Sequence, residues 1–374
     1  MRKKNSVTIA DIAKKAGVSK TTVSFYLNKK FDKMSQKTRE KIHSVIEEEE
    51  FVPNVLARSL NDKQSFLVGV MVQDTDRMEK SEFIRGVQDI LQKNGYQIIM
   101  ASTHYGLEEE RQTIEKMLKQ NVDGLIVNPS ENFDLLWKRV GRSMPMVAWN
   151  PPHVSRYPLW VRSNDYEAAY TTLEQVIQAG YTRFVMVTEE DSRQSGMPQR
   201  VTAFEHATNL NHIESTTLYI APDQDQDGLD YQLTQQVRID KNTCFFVTSP
   251  SLLANVYKAL RRYHELMPDR IGLIGFDSQE WSQMVAPAVT TIVQPTFEEG
   301  IQAGKLILDV ILDKNRELPN QVMECRLVQG ETAMMPEQGR EIAAGQPEKD
   351  EQKNSRPKKA KAQKQSPLAE LQQE

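Results

Sequence analysis

The sequence predicts a small all-α headpiece of helix-turn-helix type, joined by a hinge helix to a two-lobed α/β core built on parallel sheets. Three observations predict it. Residues 1–46 hold twelve lysines or arginines against three acids, a surplus of nine positive charges in a chain whose total is −4. The apolar residues of that segment recur at helical spacing in short runs, the first two separated by one glycine. From Phe66 onward continuous apolar runs such as FLVGVMV (66–72) alternate with amphipathic stretches, as in parallel strands buried on both faces and linked by crossover helices.

Each headpiece element has its own local cause. Thr8 offers an N-cap hydroxyl, Asp11 follows three residues on, and Ile9, Ile12, Ala13 and Ala16 repeat at helical spacing until Gly17 stops them. Ser19 caps a second helix running to Asn28, with Val18 and Val23 flanking its first turn and Tyr26 and Leu27 on its apolar side. Ser35 caps a longer third helix that turns Ile42, Val45 and Ile46 inward. This makes residues 1–52 the headpiece. Pro53 suits the start of a new turn better than a helix interior, so residues 53–65 form a hinge helix and linker.

The core, residues 66–335, shows its strands as YQIIMAS (96–102), VDGLIVNP (122–129), FVMVT (184–188), TTLYI (216–220), CFFVTS (244–249) and IGLIGFD (271–277), with helices around 83–93 and 108–119 between the early ones. Two such units in tandem imply a cleft between lobes. The first lobe spans about 66–162 plus 294–320, and the second about 163–293 plus 321–335. Residues 336–374 are rich in Lys, Gln, Glu and Pro and are expected to be a disordered charged tail.

Several function classes are disfavoured. Arg2, Lys3 and Lys4 are followed by a polar, periodic stretch, which predicts neither a secretory signal nor a membrane span. Cys244 and Cys325 lie far apart without a CxxC partner, and six scattered histidines form no ligand set, so neither a disulfide framework nor a metal site is expected. No GxSxG, P-loop, GxGxxG or HExxH occurs, and neither catalysis nor a cofactor is predicted. A cationic module on an acidic body points to a polyanionic partner, with a merely solvated lysine face as the alternative on charge alone.

TIADIAKKAGVSKTTVSFYLN (8–28) followed by FVPNVLARSL (51–60) resembles the headpiece and hinge of the LacI/GalR family of bacterial transcriptional regulators, and VDGLIV, GFD and TTIVQP resemble signatures of that family's periplasmic-binding-protein-like core. The resemblance implies a homodimer on a pseudo-palindromic double-stranded DNA operator, with the second helix in the major groove. Lys20 and Thr21 match the positions that choose base edges, and Thr22 and Ser24 lie nearby for bases or phosphates. Thr8, Ser19 and Asn28 complete the headpiece set. Phe25 departs from the family, which most often has arginine there, and would meet a thymine methyl or pack. In the hinge, Leu60 would wedge into the central minor groove, Ala57 would let two hinges approach, and Asn54 would contact backbone or base edges.

For the effector cleft, the resemblance carries over Asn150, Arg200, Asp277 and Gln294, with Gln73, Asp74 and Ser249 as further polar contacts. Two departures stand out: Ser249-Pro250 replaces the family's Asn-Asp pair, and RMEKSEF (77–83) replaces its Asn-Pro-Phe-Phe. VSKTTVSFYLN and QPTFEEG resemble the subgroup governing hexuronate or keto-deoxy sugar-acid use, in which Arg200, with Arg162, would pair the acid. The tail's SPLAELQQE is too short for a coiled coil, so a dimer is expected. The implied function is a cytoplasmic, nucleoid-associated repressor of a carbohydrate or sugar-acid operon. The alternative, an exported sugar-binding protein of a transporter, shares the core and lacks the headpiece.

Overall fold

Thr8 starts helix α1 (Ile9–Ala16) by accepting from the Asp11 amide while the Asp11 carboxylate accepts from the Thr8 amide at 2.9 Å, so two orphan donors are satisfied reciprocally. In this computed structural model the described residues are 7–27, 29–51, 64–75, 77–104, 106–140, 144–190, 197–221, 223–238, 240–276, 280–313 and 319–336. Gly17 ends α1 at φ 64°, ψ 37°, a left-handed conformation that costs a glycine nothing. Helix α2 (Lys20–Leu27) follows, and Ser35 caps α3 (Gln36–Glu48). Ile12, Ala16, Val23 and Ile42 are wholly buried between the three helices. Ser19 caps α2 as expected, its side chain accepting from the Thr22 amide. Asn28, expected to end α2, lies outside the described residues, as do hinge residues Asn54, Ala57 and Leu60 and the tail beyond 336.

Among the described residues the core holds two six-stranded sheets. The first is built from β1 (Leu67–Val72), β2 (Gln97–Ser102), β3 (Gly124–Val127), β4 (Met146–Trp149), β5 (Trp160–Ser163) and β11 (Gln321–Met323), in the order β11-β5-β4-β3-β1-β2 and parallel throughout. The second is built from β6 (Arg183–Glu189), β7 (Glu214–Ile220), β8 (Thr243–Val247), β9 (Ile271–Phe276), β10 (Thr290–Val293) and β12 (Arg326–Val328), in the order β12-β10-β9-β8-β6-β7. Only the β10–β12 pair runs antiparallel. β1, β3, β4, β8 and β9 are almost wholly buried, which explains their unbroken apolar runs.

Helices α4 (Met78–Lys93), α5 (Leu107–Lys119), α6 (Phe133–Val140) and α12 (Thr296–Ile311) belong with the first sheet. α7 (Asp165–Gln178), α8 (Met197–Leu210), α9 (Gln226–Gln236) and α10 (Pro250–Leu260) cover the second, and a single turn, α11 (Trp281–Met284), precedes β10. Two sequence boundaries move. α4 begins at Met78, five residues before the expected Phe83, because its first turn carries charged residues that hide its period. Gln321–Met323 pairs with β5, so the last crossover between lobes comes after Met323 and not at 320.

α4 and α12 cross at two glycines. A methyl group on Gly86 would sit 2.1 Å from the Phe297 carbonyl oxygen, and one on Gly300 would sit 2.1 Å from that of Phe83. The helices therefore touch backbone to backbone at the middle of α4.

Candidate functional site

In the headpiece, Lys20 and Thr21 project from the first turn of α2 and are exposed. The Ser19 and Thr22 hydroxyls lie 2.8 Å apart, so the cap occupies part of their bonding capacity and fixes the helix start. Thr8 is likewise engaged with Asp11, whose carboxyl is held below the usual range chiefly by that hydroxyl. Ser24 and Phe25 are half-buried. Tyr26 and Leu27 pack on the headpiece core and Phe25 stands outside it, which leaves its ring unclaimed by the interior. The Tyr26 hydroxyl instead reaches His43 Nδ1 at 3.0 Å.

The second region lies between the lobes, at the carboxyl ends of the strands, where ligands of open α/β sheets bind. Gln73 follows β1, Asn150 follows β4, Ser249 follows β8 and Gln294 follows β10, and all four line this cleft with Arg200 of α8. Five of the seven expected effector residues are therefore brought together. Asp74 is not among the lining residues and sits behind Arg77, 3.5 Å from its Nε. Asp277 lies outside the described residues. Arg162 stands 5.4 Å from the Trp160 ring centre and does not reach the cleft, because on β5 it is Ser163 whose side chain reaches the buried carboxylate of Glu299.

Arg200 is almost fully engaged by its own lobe. Its Nε and Nη2 donate to Asp165 Oδ2 at 3.1 and 3.0 Å, its Nη1 donates to the Thr248 carbonyl at 2.5 Å, and its guanidinium lies 3.7 Å over the Phe276 ring. Gln294 donates to the same Asp165 at 2.9 Å. Ser249 donates to Glu189 at 2.7 Å. Arg77, from the opposite lobe, reaches Glu189 at 3.3 Å and Ser249 at 3.4 Å, and so bridges the cleft. What remains open is about 30 Å³, room for a water and not for a sugar. A larger ligand must displace this bridge.

The sequence did not single out four residues that shape the site. Arg77 and Lys80 both fall in RMEKSEF, where the pattern departed from the family, and that departure was the available signal. Lys80 is 7% exposed. Its Nζ donates to Asn128 Oδ1 at 3.1 Å and lies 4.6 Å from the Trp149 ring centre, and burial pushes its pKa down. Asp165 and Glu299 sit in first turns of helices, where acids are ordinary partners of the helix dipole and attract no notice. Glu299 is wholly buried, accepting from Trp149 Nε1 at 2.7 Å and Ser163 Oγ at 2.5 Å. Burial outweighs both bonds and pushes its pKa up to about 7.

Residues 8–54 match the profile of bacterial regulatory proteins of the lacI family, and residues 173–333 match a periplasmic binding protein-like domain. The chain belongs to the lacI family of regulators. Its curated relatives include the "Probable HTH-type transcriptional regulator EndR" of Paenibacillus polymyxa, 28% identical over 321 residues, covering 83% of this chain and 92% of EndR. The HTH-type transcriptional regulator KdgR of Bacillus subtilis is 27% identical, over 82% and 93% of the two chains. Among solved structures, the lac repressor dimer bound to operator and the anti-inducer ONPF superimposes with a TM-score of 0.77 at 20% identity, over 88% of this chain and 99% of that one. As in other lacI family members, the architecture is that of a DNA-binding regulator with an effector domain, and its relatives are regulators rather than enzymes. No described helix is long and apolar enough to cross a membrane, and no described His, Cys, Asp or Glu cluster suits a metal ion.

Proposed function

We propose that the protein is a homodimeric repressor of a carbohydrate or sugar-acid operon, active in the bacterial cytoplasm at the nucleoid. A small molecule in the interlobe cleft sets its affinity for a pseudo-palindromic operator. The observation that carries this reading is the coexistence, on one chain, of an exposed Lys20-Thr21 helix start and a cleft lined by convergent polar side chains. The lac repressor, solved as a dimer on operator with an anti-inducer, has the same fold. In the proposed complex Lys20, Thr21 and Phe25 read bases, while Ser19 and Thr22 fix the start of the helix that presents them and Thr8 caps the supporting helix α1. Arg77 is the part of the cleft that must move on ligand entry, and that movement changes how the lobes sit against one another.

The test is a gel shift with the protein's own upstream region and a random duplex, each at two salt concentrations. Preferential binding of the upstream region, weakening steeply with salt, is expected. Equal binding of the two duplexes contradicts the reading.

A further inference from the structure

Three cations meet the cleft, and their answers differ. Arg200 is paired with Asp165 and Arg77 with Glu189. Among the described residues no carboxylate pairs with Lys80, whose one hydrogen bond goes to the neutral amide of Asn128. An ammonium has three N–H donors, so two are left for another partner. Lys80 is nonetheless more than nine-tenths buried, and a buried charge without a counter-ion is unfavourable unless something else supplies one. The opposite charges it feels, Glu79, Asp74 and Glu299, which bonds the same Trp149, act on it only through space.

On the same wall, Gln73 is 2% exposed. Its Nε2 donates to the Pro129 carbonyl at 2.9 Å, which fixes the orientation of the amide. Gln73 Oε1 is then a buried acceptor with no partner among the described residues. An acceptor in that position calls for a hydroxyl or N–H donor. One wall of the cleft thus asks for two features at once: an anionic group and a hydrogen-bond donor.

We propose that Lys80 selects the charge of the effector, pairing with the carboxylate of a polyhydroxylated acid while a hydroxyl of the same molecule donates to Gln73 Oε1. The assignment rests on the reading of the cleft as the effector site. Neutral sugars leave Lys80 unanswered, and small carboxylates leave Gln73 unanswered. A sugar phosphate satisfies both groups, but near neutral pH it brings close to two negative charges into a cleft where Asp165 and Glu189 are already held. A single carboxylate matches a single unpaired ammonium. In this arrangement Arg200, whose charge Asp165 already neutralises, positions the second-lobe wall and does not read the acid.

The test is a thermal-shift and calorimetric comparison on the full chain. The probes are glucuronate, galacturonate, gluconate and 2-keto-3-deoxygluconate, set beside glucose, galactose and their 6-phosphates. At least one acid is expected to raise the melting temperature and to bind at least tenfold more tightly than its neutral counterpart. Lys80→Met should reduce that preference at least tenfold while keeping cooperative melting and operator binding. A neutral sugar or a phosphate that binds more tightly than every acid overturns the assignment, as does a Lys80→Met protein that keeps the preference. Should Lys80→Met fail to fold, the wild-type selectivity still decides. No shift with any compound overturns the effector reading of the cleft itself.

Discussion

Arg200 and Lys80 each bring a positive charge to the cleft, and both are almost wholly buried, at 4% and 7% exposure. Arg200 is enclosed by Asp165, the Thr248 carbonyl and the Phe276 ring, so its charge, geometry and aromatic contact are all answered within the second lobe. Lys80 has one neutral acceptor and the neighbourhood of Trp149. Two cations facing one space thus do different work. The first is part of the frame, and the second is held in reserve for a ligand.

The largest effect should come from breaking the answered side. Asp165→Ala leaves the Arg200 guanidinium buried without its carboxylate, and should destabilise the protein by about 3–5 kcal/mol in chemical denaturation. A loss below about 1 kcal/mol would show that Arg200 does not depend on the pair.

Glu299 joins the two sides, because it bonds Trp149 beside Lys80 and Ser163 beside Gln294. Its folded pKa of about 7 lies above the ordinary 4.5, so the native state holds the proton more tightly than the unfolded one. That contribution is complete below about pH 4.5 and falls as pH rises to about 7, by something on the order of 3 kcal/mol. Glu299→Gln should flatten this part of the difference in stability-versus-pH profiles. Parallel profiles for the two proteins would place the carboxyl's titration elsewhere.

A smaller effect is expected at the helix crossing that anchors the Lys80 wall. Gly300→Ala puts a methyl group against the Phe83 carbonyl, and should cost about 1–3 kcal/mol through overpacking. An unchanged melting temperature would show that α4 yields easily. Smallest, and opposite in sign, is Lys80→Met, which removes an unpaired buried charge and should leave stability unchanged or raise it by about 1 kcal/mol in the same denaturation assay. A loss of several kcal/mol would mean that Lys80 is structural after all.

How much of this was legible depended on how local its cause is. Thr8, Gly17 and Ser35 set helix ends through residues at most five positions away, so caps and turn were readable, and β1 and β8 advertised themselves by unbroken apolar runs. Three-residue β11 has no such pattern, and only its pairing with β5 reveals which lobe it joins. Resemblance put Gln73, Asn150, Arg200, Ser249 and Gln294 in one place, but the division of labour among the cations was not readable. It depends on Asp165 lying 35 positions from Arg200, and on Asn128 lying 48 positions from Lys80. A lysine three residues into an amphipathic helix looks solvated until the strands that bury it are in place.

In the proposed regulator a molecule held in the cleft sets affinity for DNA, and that coupling can be measured. It is tested most directly by titrating a fluorescent operator duplex with the full-length protein, with and without a saturating concentration of the acid that most raises its melting temperature. Operator affinity is expected to change at least tenfold in wild type. An acid that saturates the cleft and leaves operator affinity unchanged would contradict it.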